Sequence, residues 1–187
     1  MDGFLLSLLL VFALALGGRD QWLVARWSDA LAQSAQLLAV AVLSAGLAAA
    51  AMAWIGAEFA AMLPRRAAQM LVAFALAIAA FELAWPVRVK EPQEPTRSLP
   101  AIGIVLLARQ IGDGARFGVF ALAAWTDWPL TAGLGGALGG AAAVGAGWAA
   151  GARIMQRWPL RMVRIALATA LGVTAIFIGL DARFPNV

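Results

Sequence analysis

The apolar positions along this chain fall in long unbroken runs. Residues 3–18, 37–63, 67–85, 130–152 and 163–180 are almost wholly apolar, and 99–124 is apolar with polar interruptions. A helix needs about 20 apolar residues to cross the hydrocarbon of a bilayer. Only helices or closed barrels can satisfy their backbone groups there. The runs therefore predict an all-α integral membrane protein with six transmembrane helices. Between the third and fourth runs lies a hydrophilic stretch rich in proline and alternating charge, which reads as a loop. It divides the chain into a first half (1–86), a polar loop (87–98) and a second half (99–187). Run 3–18 has no Lys or Arg ahead of it and no small-residue cleavage site behind it, so it reads as an uncleaved span rather than a signal peptide.

Tryptophans stand near the predicted ends of spans, at Trp22, Trp27, Trp85, Trp125, Trp128 and Trp158. They fit the aromatic belt of a membrane protein. Arg19, Arg26, Arg88, Lys90, Arg97, Arg153, Arg157 and Arg161 fall on one side of the predicted topology, and Arg65, Arg66 and Arg183 on the other. The positive-inside rule then puts the 87–98 loop in the cytoplasm and both termini in the periplasm.

The halves echo one another. Gly17 and Gly112, Pro64 and Pro159, and Arg66 and Arg161 are each 95 positions apart. Trp27-Ser28-Asp29 returns as Trp125-Thr126-Asp127 with a small shift. Three spans per half is an odd number, so the second half would enter the bilayer upside down. This predicts two inverted three-helix repeats, an arrangement many secondary transporters share. The fifth span carries the small-xxx-small pairs Gly135/Gly139, Gly136/Gly140 and Gly147/Gly151. Such pairs let helices pack closely. They also offer a face for a homodimer or another membrane protein.

Composition narrows the chemistry. Hydrophobic residues make up 63% of the chain and charged ones 13%, which excludes an ordinary soluble domain. The pI near 11.3 reflects 14 basic against 10 acidic residues set at the ends of runs, so it speaks for topology and not for nucleic acid. With no Cys and no His, thiol and imidazole chemistry are absent and nothing points to an enzyme or a resident cofactor. Arg outnumbers Lys 13 to 1, which reads as a GC-rich bacterial genome and hence a bacterial inner membrane.

Ionisable groups inside spans are the functional candidates, because burying them is costly. The densest cluster is Arg109-Gln110-Ile111-Gly112-Asp113-Gly114-Ala115-Arg116. On one helix Arg109 and Asp113 would pair at i,i+4, and Asp113 and Arg116 at i,i+3. Gly112 and Gly114 would let the helix break and present carbonyls to an ion. The corresponding place in the first half is Gly17-Gly18-Arg19-Asp20-Gln21. Glu58 and Glu82 read as interfacial, and Asp29 and Asp127 as caps of the helices that follow them.

These two sites, in a six-span chain with a polar central loop, resemble the Golgi-type manganese/calcium–proton exchanger family, which includes bacterial manganese exporters. Its signature is two copies of E-x-G-D-[KR]-[TS], usually followed by Gln. In the first copy Gly17, Arg19 and Gln21 match, while Ala15 and Gly18 stand at the acidic positions. In the second, Gly112 and Asp113 match, Gln110 stands for Glu, and Gly114 and Ala115 take the basic and hydroxyl positions. Of the four acidic positions only Asp113 remains acidic. The resemblance implies antiport of a divalent cation, manganese or calcium, against protons by alternating access. Asp113 would be the metal ligand, with Gln110, Gly112, Asp20 and Gln21 around the ion and Arg109, Arg116 and Arg19 as modulating charges. Two alternatives remain open. The same scaffold could carry an anionic or zwitterionic substrate on Arg109 and Arg116, or the chain could be a non-transporting structural or regulatory partner.

Overall fold

The computed structural model describes residues 2–87, 98–126 and 128–184, so Asp127 and most of the polar loop, with Arg88, Lys90 and Arg97, lie outside the described residues. Within them the chain is all helical and has no strand. The helices are α1 (Asp2–Ala15), α2 (Arg19–Ala30), α3 (Ala35–Met62), α4 (Arg65–Ala84), α5 (Leu99–Gln110), α6 (Gly114–Trp125), α7 (Pro129–Met155) and α8 (Leu160–Arg183).

Four of these, α3, α4, α7 and α8, are long and apolar enough to cross a membrane. They match the runs 37–63, 67–85, 130–152 and 163–180 to within a few residues. Run 3–18 is not a span by itself. Its helix has 14 residues, about 21 Å of rise, and a 67° bend joins it to α2 as one broken apolar unit. Run 99–124 is likewise two helices, α5 and α6, of 12 residues each. These several apolar helices make the chain a multi-pass membrane protein.

Residues 19–30, which lie between the first two apolar runs, form the helix α2. Leu23, Val24 and Trp27 share a face and bury with Leu37, Ala41, Ile102 and Leu106. Trp27 is therefore core and not belt, whereas Trp85, Trp125, Trp128 and Trp158 are about half exposed or more.

Packing inverts the rule of soluble proteins. Large apolar side chains such as Leu47, Trp54, Phe74, Phe81, Leu130, Ile176 and Phe177 point outward. The buried faces carry mainly Ala, Gly and Ser: Ala45, Ala49 and Ala53 on α3, and Gly135, Gly139 and Ala143 on α7. In lipid the outward side chains lose nothing, and small inner ones let helices approach closely. α7 is the centre of the assembly and packs on α1, α2, α3 and α6, while α4 packs on α6 and α8. Gly135 and Gly139 sit against the α1 backbone at Phe4 and Leu8, where a Cβ would collide with a carbonyl oxygen.

Two glycines with positive φ break the helices. Gly17, at φ +68°, ends α1. Gly151, at φ +67°, kinks α7 near its end. Asp29 does not cap α3. Its Oδ2 accepts the Ala152 N–H at 2.9 Å and so caps the last turn of α7 beyond the Gly151 kink. A residue without a side chain is required there, because a Cβ on Gly151 would overlap the Asp29 carboxylate.

Gly139→Leu should force α1 off α7. Overpacking costs about 1–3 kcal/mol, and more where backbone is in the way. Melting of the purified protein in detergent should show a lowered midpoint or an aggregated product. A Gly139→Leu protein that melts with the wild type would contradict this packing.

Candidate functional site

The two helix breaks face one another. At the first, Gln21 fastens the turn: its Oε1 accepts the Gly17 N–H at 2.7 Å. Its Nε2 donates to the Ala143 carbonyl of α7 at 2.8 Å. Gly147 leaves the room Gln21 occupies, since a Cβ there would lie 2.7 Å from Gln21 Cγ. Gln21 is thus a fastener of the break, with both ends of its amide engaged. Asp20, one residue earlier in the first turn of α2, is buried.

At the second break, α5 ends at Gln110, Ile111 and Gly112 are exposed, and Asp113 precedes α6 in an extended conformation. The Gly114 N–H at the head of α6 is accepted at 3.3 Å by Glu82 Oε2 of α4. Arg116, in the first turn of α6, is 2% exposed. A Cβ on Gly140 would come 2.8 Å from its Nη1, so α7 is notched to admit the guanidinium.

These elements bring Asp20 and Asp113 into electrostatic contact with each other and with Arg116, and Gln110 lies beside Asp20. Asp20, Gln110 and Arg116 are each less than a tenth exposed, while Asp113 is half-buried beside the exposed Ile111 and Gly112. Yet Asp20 Oδ1, both polar atoms of the Gln110 amide, and Arg116 Nε and Nη1 make no hydrogen bond. Buried polar atoms are nearly always paired, so a set of both signs without protein partners is a place that water or another polar group would fill.

Several expectations change. The helix breaks between Arg109 and Asp113, so their i,i+4 register is lost. Arg109 is exposed and acts on Asp20 rather than pairing with Asp113, whose charged neighbours are Asp20, Glu82, Arg116 and Arg164. Arg19 is 47% exposed and reaches Glu82 Oε1 only at 3.9 Å, so its effect is weak and screened. Glu82 is not a solvated interfacial group: its side chain is 11% exposed and pairs with Arg164 Nη2 at 3.2 Å. Arg164, 2% exposed, was not a candidate in the sequence. Its one signal is a lone charge inside an apolar run, the same signal that Glu82 gives.

No group of three or more acidic residues converges as a metal site among the described residues. The oxygen donors on hand are Asp20, Asp113 and the Gln110 amide, with a guanidinium among them. A divalent ion there would need carbonyls or water to complete its shell and Arg116 to withdraw. The arrangement suits a site where a proton, a cation and the Arg116 side chain compete for two carboxylates.

Arg116→Gln should leave Asp20 and Asp113 facing each other without their shared cation. Arg116 acts on both carboxylates without a close ion pair to either, so losing its charge should cost about 1–3 kcal/mol. Thermal melting in detergent should show a lowered midpoint, partly recovered by adding Asp20→Asn. A single variant as stable as wild type would refute the assignment of Arg116 as counter-ion. No family model matches the chain, and no curated protein or solved structure is found to be similar to it.

Proposed function

We propose that this protein is a secondary transporter that exchanges a cation for protons by alternating access, with Asp20 and Asp113 as the groups that carry both. The observation behind it is the approach of one carboxylate from each helix break, Asp20 buried and Asp113 half-buried, beside unpaired buried polar atoms of both signs. Carboxylates are oxygen ligands that can also take up protons, so the same two groups can hold either cargo. Arg116 is the tethered counter-charge that occupies them when neither is bound. The resemblance noted in the sequence makes the cargo a divalent cation, manganese or calcium.

The order of helices supports a repeat. Each half runs as a short pair divided at a break, then two long helices: α1, α2, α3, α4 and α5, α6, α7, α8. With each short pair counted as one broken span, each half contributes three spans, and the chain becomes two inverted repeats with six spans. Discontinuous helices near a repeat interface are the usual seat of ion sites in such transporters. Orientation follows from the basic residues, with both termini periplasmic in a bacterial inner membrane. The anionic-substrate alternative needs Arg109 and Arg116 to converge, and it is weakened because one is exposed and the other buried.

The test is flux in proteoliposomes holding a manganese- or calcium-sensitive dye, with luminal pH followed in parallel. Ion entry should drive protons the other way. Asp20→Asn and Asp113→Asn should each fall to the rate of protein-free vesicles. Wild-type flux in either variant would remove that residue from the site, and folded wild-type protein without flux would refute the transporter reading in favour of a non-transporting partner.

A further inference from the structure

A second polar concentration lies on the far side of Glu82. A cavity of about 370 Å³ opens where α7 turns into α8, beside the end of α4 and the Gly17 break. Arg161 and Arg164 line it, together with Gln156, Trp22, Trp158 and Leu160. Arg161 is exposed and gives Nη1 to the Ala84 carbonyl at 2.8 Å, which fixes its stem and leaves other donors of the guanidinium free for a ligand.

Arg164 carries the stronger signal. It is 98% buried by the measure of its 2% exposure, and its Nε and Nη1 have no hydrogen-bond partner. Only Nη2 is engaged, by Glu82. That carboxylate is already shared, with Arg19 at 3.9 Å and the Gly114 N–H at 3.3 Å. Glu82 thus serves two guanidiniums, Arg19 and Arg164, while Arg161 stands in the cavity wall and Asp113 is the other acid near Arg164, so basic groups outnumber acidic ones around the cavity. The head of α8, a 24-residue helix without a side-chain cap, adds its own partial positive charge at the same place. Donors in excess, forked guanidiniums and a helix head together match a phosphate group. The indoles of Trp22 and Trp158 and the side chain of Leu160 give the cavity an apolar wall, suited to whatever the phosphate is attached to.

We propose that this cavity binds a phosphate-bearing anion, with Arg161 and Arg164 as its ligands. The chemistry serves two sources, an anionic lipid headgroup or free phosphate, and the cavity adjoins the carboxylate pair assigned to transport, since Arg164 and Glu82 also act on Asp113.

The test is a fluorescence titration of the full chain in nonionic detergent, because two tryptophans line the cavity. One arm adds short-chain phosphatidylglycerol, the other inorganic phosphate. A saturable change is expected. Loss of a charge-assisted hydrogen bond should weaken it about tenfold or more in Arg161→Gln. Gln156→Glu, at an exposed position, should do the same by repulsion, while Arg65→Gln in a different cavity should bind as wild type. Saturation by the lipid alone assigns a headgroup, and saturation by phosphate as well assigns a free anion. Saturation in neither arm, or both cavity variants binding as wild type, would overturn the proposal.

Discussion

Arg116 is buried among apolar helices, and the molecule is arranged around the cost of keeping it there. A lone guanidinium in that position would be prohibitive, so carboxylates must come to it. Asp20 and Asp113 arrive from opposite halves of the chain because both helices break where they do. Gly17 supplies one break through its positive φ, and Gln21 locks it. At the other, Glu82 of α4 takes the N–H at the head of α6. Gly140 then leaves the space the guanidinium fills. A side chain at that glycine would displace the counter-charge and leave two acids opposed.

The rest of the packing serves closeness. Helices without a hydrophobic drive between them must gain from contact itself. That explains why α7, the central helix, is the one rich in glycine: some of its glycines meet backbone or polar groups, and others, such as Gly136 against Val119, meet apolar side chains at close range. Gly135 and Gly139 meet α1, Gly147 meets Gln21, and Gly151 meets Asp29. Stripes that look alike in sequence therefore do different things: the first two close a helix pair, and the last two seat polar fasteners.

What could be read from sequence follows from this physics. Uniform apolarity announced α3, α4, α7 and α8, since hydropathy alone defines them. α2 stayed hidden because half of it is polar, and its burial depends on α7, more than a hundred residues away. The role of Asp29 was equally invisible, because its partner, Ala152, lies 123 positions later. At the site, Asp113, Gln110 and Asp20 were legible as polar groups in apolar surroundings. The pairing of Arg109 with Asp113 misled because helical register was extended across a break, although Arg109 still acts on Asp20. Glu82 and Arg164 gave too little signal singly, and only their meeting at 3.2 Å shows why each is tolerated.

The proposed exchange requires that the two carboxylates form one site that trades protons for a cation. Proton release from purified protein in weakly buffered detergent tests it most directly. Adding manganese or calcium should release protons from the wild type, seen with a pH-sensitive dye. The Asp20→Asn/Asp113→Asn protein should release none. Undiminished release from that double variant, or none from folded wild type, would contradict the account.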